Sequence, residues 1–593
     1  MSSGGLNINV AEPKKKGSVN SSSKKKQPEM VKKNFLDNKV VPLDEVTALI
    51  NPEKCINCGI CRDNCPVNAI KENQRIICHS CSVCTEKPGF SPTRSEELAT
   101  ECSCTTACPL QVSPQGYIGL AKLGLYHEAF DTIWAKNPLP AVCGSVCHHP
   151  CEDACKRGII VDSPIKIRDI KKYLAVSEEA NVKKYKPIYD ETVAVIGAGP
   201  AGLTAGHYLA SMGYEVTVFE GSNEAGGMLK QGIPEFRLDR ELIDQDIKRL
   251  TDAGLDIRLG FRIDKYMMEE IRNEYDIVIV AAGTPTSKEL KIPGWRLAGV
   301  MPAVSFMQQV NNGAQLRRHL GQIFEFDGGE AVVIGGGSVA MDVARTAKRV
   351  GASKVTVVAL ECGEEFPAHH WEKAEAIEEG IVIIEGYSPI EFMTDLFPRI
   401  NGVKFAKVTS FKKDVDGKIN FTIDETAAME VRADWVVQAI GQSADDLWND
   451  YSDAKDVIFA GDIASNKCSV VDAMASGRKA AIDADALLRG REMKNDLASH
   501  ELELAPVMQR IYPYNRRKVI RPTVDTLAPE ERLNSFDEVV GILTEEQLLT
   551  EAVSCLACGY EVVDSKECVA CGVCQKLCPK GDVITMVAKG GTK

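Results

Sequence analysis

The stretch Thr192-Val-Ala-Val-Ile-Gly-Ala-Gly-Pro-Ala-Gly202 decides the fold. It reads as a buried β-strand that runs into a G-x-G-x-x-G turn formed by Gly197, Gly199 and Gly202. Glycine at these positions permits the tight turn, the close approach of the backbone to a pyrophosphate, and the packing of helix on strand. The helix that follows offers its N-terminal N–H groups to the phosphates. The pattern predicts a Rossmann-like dinucleotide-binding domain.

The residues downstream of this turn favour FAD as the dinucleotide. The strand Glu215–Glu220 ends in a carboxylate that can accept hydrogen bonds from ribose hydroxyls. Gly226, Gly227 and the 232–237 segment resemble the sequence that follows this turn in flavin enzymes. The strand and Gly-Asp pair at 457–462 are typical of the last part of an FAD site. We expect this site to be formed by Gly197, Gly199, Pro200, Ala201, Gly202, Glu220, Gly226, Gly227, Met228, Arg237, Ala282, Gly283, Gly441, Gly461 and Asp462.

A second turn, of the G-x-G-x-x-A type, lies between the two parts of this domain and predicts an inserted nicotinamide domain. The next strand, 354–361, ends in Glu361, where a 2′-phosphate would need Arg or Lys. This favours NAD(H) over NADP(H); the alternative is that Glu361 is a solvated loop acid and a distant basic residue contacts the phosphate. His369 and His370 are interpreted as loop residues. The expected nicotinamide-site residues are Gly335, Gly336, Gly337, Ser338, Val339, Ala340 and Glu361.

The cysteines indicate iron–sulfur clusters. Of 22 cysteines, 14 lie between Cys55 and Cys155 and six between Cys555 and Cys578. Tight C-x-x-C-x-x-C spacing suits cluster ligation better than disulfide pairing, and no export signal is visible. The candidate metal ligands are Cys55, Cys58, Cys61, Cys65, Cys78, Cys81, Cys84, Cys102, Cys104, Cys108, Cys143, Cys147, Cys151, Cys155, Cys555, Cys558, Cys568, Cys571, Cys574 and Cys578. Divided by four, they predict about four to five [4Fe–4S] clusters.

The first cysteine run, 55–66, is the C-x₂-C-x₂-C-x₃-C-P run of bacterial ferredoxins, whose fourth cysteine ligates the other cluster. One consistent pairing places Cys65 with the cysteines at 78, 81 and 84. The cluster of the first three cysteines then lacks a fourth ligand, because Pro88 stands where a ferredoxin would place it, and Cys102 or Cys104 could substitute.

The other cysteines leave more alternatives open. Those from 143 to 155 recur every four residues, and a loop that wraps a cluster is favoured over a regular helix there; we do not expect His148 and His149 among them to ligate iron. The run 568–579 repeats the ferredoxin pattern. Cys555 and Cys558 are then spare, and a Zn²⁺ site at this pair is an alternative.

The predicted fold class is α/β, with two Rossmann-like dinucleotide-binding domains flanked by an α-helical iron–sulfur domain and ferredoxin-like modules. Residues 1–33 carry eight lysines and too little apolar surface to order themselves. The expected boundaries are 1–45 for a disordered basic tail, 46–100 for a ferredoxin-like module, 101–188 for the helical iron–sulfur domain, 189–325 and 441–490 for the two parts of the FAD domain, 326–440 for the NAD domain, 491–550 for a linker and 551–593 for a C-terminal ferredoxin-like module.

Residues from about 100 to 490 resemble the small (β) subunit of glutamate synthase, the flavin domain of dihydropyrimidine dehydrogenase and the large subunit of the bifurcating NADH-dependent ferredoxin:NADP transhydrogenase. The resemblance rests on Cys104-x₃-Cys108-Pro, Cys143-Gly-x₂-Cys147, both glycine turns and the Gly-Asp pair. It implies FAD, a pyridine nucleotide, nearby low-potential clusters and a partner that exchanges electrons. The chain departs from the family in lacking an Arg pair at 360–361 and cysteines at 96 and 99, and in having Lys171 where the family often has a non-cysteine ligand.

These features predict an oxidoreductase in which hydride passes between nicotinamide and FAD, and single electrons pass through clusters to another electron-transfer subunit or ferredoxin. Electron bifurcation is an additional function that these cofactors would allow. No side-chain acid, base or nucleophile is expected. The alternatives are the small subunit of an NADPH-dependent glutamate synthase and a non-catalytic electron-wiring subunit. Seventy basic against 83 acidic residues give a net charge of −13, which disfavours nucleic-acid binding. No apolar run suggests a membrane span, and we expect a hetero-oligomer in an anaerobic cytoplasm.

Overall fold

A computed structural model of the chain describes most of residues 103–579 and short pieces outside them. The described ranges are 103–178, 182–320, 328–395, 398–414, 419–465, 469–490, 518–563 and 573–579, together with 32–33, 40–41, 46–50, 55, 61, 69–74, 326 and 584–588. Among these residues no helix combines the length and apolar character needed to cross a membrane.

The described chain begins with four short strands and then a layer of seven helices. The strands are β1 (Lys32–Lys33), β2 (Val40–Val41), β3 (Val46–Ile50) and β4 (Ile70–Gln74). The helices are α1 (Ser103–Thr106), α2 (Pro114–Ala121), α3 (Tyr126–Trp134), α4 (Pro140–Val146), α5 (Pro150–Asp153), α6 (Lys156–Ile160) and α7 (Ile167–Ser177). Proline begins three of them, at a position where the missing N–H costs no hydrogen bond.

The next segment alternates strands and helices. It contains β5 (Thr192–Ile196), α8 (Pro200–Met212), β6 (Glu215–Glu220), α9 (Met228–Gln231), α10 (Arg240–Ala253), β7 (Asp256–Leu259), α11 (Lys265–Glu274), β8 (Ile277–Val280) and β9 (Thr286–Ser287). The side chains of β8 are buried throughout, as expected for a central strand covered by helices on both faces.

A second alternating segment follows. It contains β10 (Val300–Pro302), α12 (Ala303–Leu320), β11 (Glu330–Ile334), α13 (Ser338–Arg349), β12 (Lys354–Ala359), α14 (His370–Glu378), β13 (Val382–Glu385), β14 (Tyr387–Met393), β15 (Gly402–Lys413), β16 (Ile419–Arg432) and β17 (Trp435–Gln438). Strands β10, β17, β11, β12 and β13 form a parallel sheet in that order, and β14 to β16 form an antiparallel meander beside it.

The chain then returns to the first sheet. It contains β18 (Gln442–Ser443), β19 (Val457–Phe459), α15 (Val470–Leu488), α16 (Pro529–Arg532), α17 (Glu545–Ser554), β20 (Gly559–Val563), α18 (Val573–Leu577) and β21 (Ile584–Ala588), with 3₁₀ turns at Gly363–Glu365, Asp446–Tyr451 and Gly461–Ile463. Strand β19 adds to β8, so the first parallel sheet has the order β19-β8-β5-β6-β7.

These sheets confirm the predicted α/β class with one dinucleotide-binding domain inserted into another. Residues 192–287 with 442–488 form what we call the first lobe, and residues 300–438 form the second lobe. The two crossings between the lobes, β9 and β18, pair with each other as a short antiparallel ladder. Strand β10 and helix α12, which the sequence analysis assigned to the FAD domain, belong to the sheet and core of the second lobe.

Candidate functional site

The glycines of the first turn have separate structural roles. A Cβ added at Gly197 would lie 2.4 Å from the carbonyl oxygen of Ala281, and one at Gly202 would lie 1.8 Å from that of Gly197. Gly197 also has a φ of +104°, which disfavours any side chain. A Cβ at Gly199, by contrast, would meet nothing within 4 Å. The turn is therefore closed by its first and third glycines, and the second leaves open space at the N-terminus of α8, where a pyrophosphate would approach.

Glu220 holds this turn in shape. Its carboxylate accepts hydrogen bonds from the N–H groups of Ala198 and Ser222, both at 2.8 Å. The Gly226–Gly227 loop lies across the same turn, since the N–H of Gly226 donates to the carbonyl of Ala198. The loop continues into α9, which begins at Met228. The expected residues of the first site from both strands therefore meet at the carboxyl edge of the sheet.

Asp462 supplies a buried acceptor at the other side of this edge. Its Oδ1 atom is buried and has no hydrogen-bond partner among the described residues. Burial, reinforced by Asp472, raises the pKa of its carboxyl to about 6. The preceding Gly461 has a φ of +79°, and its N–H donates to the Ser476 hydroxyl of α15. An unpaired buried acceptor next to a dinucleotide-binding turn fits a ligand hydroxyl.

Other expected contacts of the first site lie at strand ends or between the lobes. Ala282 and Gly283 follow β8 after one intervening residue, and Gly441 directly precedes β18. Arg237 instead joins the two lobes: its guanidinium donates to Asp342 of α13 at 2.7 Å and pairs with Glu372 of α14 at 2.9 Å. This ion pair fixes the loop after α9 to the second lobe, a role that the sequence analysis did not predict.

The second turn repeats the geometry of the first. A Cβ at Gly335 would lie 2.3 Å from the carbonyl oxygen of Ala439, whereas one at Gly337 would meet nothing within 4 Å. Gly336 packs against Ala359 of β12, and Ala340 is buried beneath the turn. Val339 is exposed and Ser338 donates to Glu372. The open face again lies at a helix N-terminus, that of α13.

Glu361 stands just beyond the end of β12. Burial raises the pKa of its carboxyl, and the positive charge of Lys413 opposes this increase. Lys373, on the neighbouring helix α14, pairs with Glu385. A dinucleotide in this site would therefore meet one acid and a lysine on the distant strand β15.

Four cysteines lie close to helix α15, and we call Cys108, Cys143, Cys147 and Cys151 the inner thiol group. Three of them line one cavity together with Lys171 of α7 and Val471 of α15. Cys143 is fully buried, and its Sγ lies 3.4 Å from the Sδ of Met474 on the same helix. Burial raises the pKa of the Cys143 thiol to about 12.

Lys171 places a positive charge among these thiols. Burial lowers the pKa of its ammonium. The nearby sulfur groups of Cys147, Cys143 and the other cysteines raise this pKa by more, so the net shift is upward. The position at which the family often carries a ligand thus holds a buried cation.

A second set of four cysteines lies farther from α15, and we call Cys104, Cys155, Cys555 and Cys558 the outer thiol group. All four line one cavity, although two come from the helical layer and two from the chain after α17. Arg157 ties these segments together, because its guanidinium donates to the carbonyl of Ser554 at 2.6 Å. Burial raises the pKa of the Cys555 thiol to about 12.

The sequence analysis offered Cys104 as a ligand for the cluster of the first cysteine run and treated the 555–558 pair as spare or zinc-binding. The structure arranges these cysteines differently. Cys104 lies with the C-terminal pair, and not with Cys55 or Cys61, which are buried with Cys574 beside Cys578 in a separate apolar cluster. Among the described residues, no three His, Cys, Asp or Glu side chains are placed to bind a single metal ion. A four-iron cubane is larger than one ion and takes thiolates that stand farther apart.

The remaining candidate ligands cannot be placed. Cys58, Cys65, Cys78, Cys81, Cys84, Cys102, Cys568 and Cys571 lie outside the described residues. None of the described cysteines forms a disulfide. His148 stacks on His369 of the second lobe with ring centroids 5.6 Å apart, and His149 contacts Trp371 at a tilt of 43°, with centroids 4.6 Å apart. His369 caps α14 and His370 is its first residue.

The chain matches three known protein families along its length. Residues 191–463 match the pyridine nucleotide-disulphide oxidoreductase family. Residues 94–183 match the 4Fe-4S cluster domain II of dihydropyrimidine dehydrogenase, and residues 48–71 match a 4Fe-4S binding domain. The chain belongs to the pyridine nucleotide-disulphide oxidoreductase family. The three matches together show an iron–sulfur flavoprotein of the oxidoreductase class.

Relatives of this oxidoreductase include subunits of several enzymes. The chain is 30% identical to the NADP(+)-dependent formate dehydrogenase subunit beta of Moorella thermoacetica, over 77% of its own length and 70% of the relative's. It is 30% identical to the glutamate synthase [NADPH] small chain of Azospirillum brasilense, over 66% and 89%. It is 32% identical to the NAD-dependent dihydropyrimidine dehydrogenase subunit PreT of Escherichia coli O157:H7, over 66% and 94%. Other relatives are longer, and the chain spans about half of their length.

Proposed function

We propose that the chain is an NAD(H)-linked electron-transfer subunit, which passes electrons between a pyridine nucleotide and a partner subunit or ferredoxin through FAD and [4Fe–4S] clusters. The observation that carries this proposal is the contact of the inner thiol group with α15. This helix follows Asp462 at the first dinucleotide turn, and Val471 and Met474 on its first turns contact the cysteines. One helix therefore adjoins both the flavin site and the first metal site.

The two thiol groups fit one [4Fe–4S] cluster each. Four cysteines are the usual ligand set of this cluster. All four cysteines of the outer group line one cavity, whereas Cys108, Cys147 and Cys151 of the inner group line the other and Cys143 is buried in the same core. In this assignment Cys143 is the fourth ligand of the inner cluster. Lys171 cannot be that ligand, because a protonated ammonium has no free electron pair. Cys555 and Cys558 complete the outer set and take the place of the cysteines that the family has before position 104.

The residues of the chain position these groups. When bound, the flavin would exchange one hydride, which carries two electrons, with nicotinamide, and the clusters would carry single electrons. The backbone N–H groups at the start of α8 and α13 would bind the two pyrophosphates, and the open space at Gly199 and Gly337 would let the phosphates approach. The carboxylate of Asp462 would accept a hydrogen bond from a hydroxyl of the flavin cofactor. The ammonium of Lys171 would offset the negative charge of the inner cluster.

The nicotinamide site favours NAD(H) on electrostatic grounds. Glu361 would repel a 2′-phosphate, and the nearby Lys373 is engaged by Glu385. NADP(H) is the second candidate. The positive charge of Lys413 acts on Glu361, so the same lysine could contact the 2′-phosphate of NADP(H). The names of the relatives include both nucleotides.

Anaerobic titration of the reconstituted protein with NADH and, separately, NADPH tests the proposal. We expect rapid bleaching of the flavin and cluster absorbance by NADH. The variant E361R, combined with L360R, should then respond to NADPH at least tenfold more strongly than the wild type, whereas K413Q should leave the NADH response unchanged.

Other outcomes would support other functions. Bleaching of the wild type by NADPH alone, lost in K413Q, would overturn the NAD(H) assignment and favour a glutamate synthase-like role. An absence of bleaching by either nucleotide, in protein that retains flavin and iron, would contradict the catalytic proposal and favour an electron-wiring subunit.

A further inference from the structure

The two ends of the chain pair with each other. Strand β3 forms an antiparallel ladder with β21, in which Ile50 is the partner of Ile584 and Val46 that of Ala588. Strand β4 forms a second antiparallel ladder with β20, from Gly559 opposite Gln74 to Val563 opposite Ile70. In both ladders one strand comes from the N-terminal end and the other from the C-terminal end, so each end supplies half of the pairing.

The pairing is symmetric with respect to the cysteine runs. The first run lies between β3 and β4, and the second lies between β20 and β21. Each end is thus a strand, a C-x₂-C-x₂-C-x₃-C-P run and a second strand. The first strand of each half pairs with the second strand of the other: β3 with β21, and β20 with β4. The strand pairing of the two halves is therefore reciprocal.

Cysteines from both runs lie in one core. Cys55, Cys61 and Cys574 are buried together with Ile50, Ile70 and Ile584, and Cys578 packs against them. The N–H of Cys578 donates to the carbonyl of Cys574, and the side chain of Gln575 donates to the carbonyl of Ile584, which fixes α18 against β21. The other cysteines of the two runs lie outside the described residues, so the assignment below depends on these four.

We infer that the two ends of the chain form a single ferredoxin domain, in which Cys578 of the C-terminal run completes the [4Fe–4S] cluster of Cys55 and Cys61. In a C-x₂-C-x₂-C-x₃-C-P run the fourth cysteine serves the other cluster of a two-cluster domain. The paired strands bring that other run from the opposite end of the chain. This assignment removes the need for a ligand at position 88 and does not depend on the nicotinamide reaction.

The position of this domain suggests its role. Cys558 of the outer thiol group immediately precedes β20, so the outer group and the ferredoxin domain are consecutive along the chain. A route from the flavin through the inner and outer groups therefore continues into the domain built from both termini. Such a domain is the exit or entry point for a redox partner.

Pairwise cysteine variants of the full-length protein test the ligation, with iron content and the EPR spectrum of the reduced protein as readouts. C55S and C578S should each lose the same EPR signal and about four iron atoms, and C55S/C578S should lose no more than either alone. C574S/C578S should lose about eight, because the two residues serve different clusters. C362S, at an exposed cysteine, is the matched control.

The opposite pattern would overturn the inference. If each run built its own cluster, C574S/C578S would lose one cluster and C55S/C578S would lose two. A photo-crosslinking residue at Leu49, the register partner of Thr585, tests the pairing without reference to iron. We expect a crosslink between the N-terminal and C-terminal peptides of one chain. The variant V587P should abolish it, because proline disrupts the ladder in which Val587 pairs with Thr47. Failure to crosslink in protein that retains flavin would contradict the shared domain.

Discussion

Arg237 of the first lobe donates a hydrogen bond to Asp342 of the second lobe at 2.7 Å, and its other terminal nitrogen pairs with Glu372. Both carboxylates are nearly buried, with 10% and 6% of their side chains exposed. The guanidinium therefore neutralises two acids beside the second glycine turn and fixes the orientation of the two lobes.

Replacing Arg237 should loosen the second lobe. R237M removes the guanidinium that pairs with both nearly buried carboxylates, and removal of one partner from a buried pair costs about 3 kcal/mol or more. We expect faster hydrogen exchange over residues 338–349 in the variant, measured by mass spectrometry. R262M, at an exposed arginine of the first lobe, is the control. Equal exchange in both variants would show that the pair does not fix the lobe.

The glycines of the first turn should respond differently to alanine. At Gly199 a Cβ meets open space and the backbone φ is −78°, so G199A should fold normally and lose FAD affinity by tenfold or more. At Gly202 the Cβ would collide with the carbonyl of Gly197, so G202A should yield little folded protein. Circular dichroism and a fluorescence titration with FAD measure the two effects. Unchanged FAD affinity in G199A would place the pyrophosphate elsewhere.

Asp462 should make the stability of the FAD-free protein depend on pH. The pKa of this carboxyl is raised to about 6 by burial and by Asp472, above its value of about 4 in an unfolded chain. The folded state therefore favours the protonated form, and the charged form costs stability above pH 6. D462N should melt about 2 °C or more above the wild type at pH 7.5.

This difference in melting temperature should narrow as the pH falls below 6 and disappear near pH 4, where both states are protonated. Added FAD should reverse the order at pH 7.5, because the amide replaces a charged acceptor. A pH-independent difference would show that Asp462 is not the titrating group.

The outer thiol group should lose its iron when either segment is altered. C104S and C555S should each reduce bound iron by about four atoms, and the double variant should lose no more. Iron analysis with C362S as the control distinguishes this from general instability. Retention of full iron in C555S, with loss of zinc, would restore the zinc interpretation of the 555–558 pair.

Lys171 should raise the potential of the inner cluster. A positive charge buried among its thiolates stabilises the reduced form, which carries one more negative charge. K171M should lower the midpoint by about 60 mV, a tenfold change for one electron, in an EPR-monitored redox titration. K479M, on the exposed face of α15, should leave it unchanged. An unchanged potential in K171M would show that the ammonium is not close to the cluster.

The sequence predicted the two dinucleotide folds well because their signals are local. The turns at Gly197 and Gly335 and their flanking strands each lie within about 30 residues, which is the length of one βαβ unit. The α/β class and the insertion of one domain into the other were confirmed for the same reason. The ion pair between Arg237 and Asp342 was not foreseen, because it joins two lobes whose contact no local pattern encodes.

Local sequence patterns indicated which residues could bind cofactors: the glycine turns, the acid Glu220 and the runs of cysteines. Which cysteines lie together became visible only in the folded chain. Spacing indicates ligands only when they come from one loop, whereas Cys104 lies with Cys555, and Cys55 lies in one core with Cys574. Strand pairing and helix packing bring these distant segments together, and such contacts leave no periodic trace in the sequence.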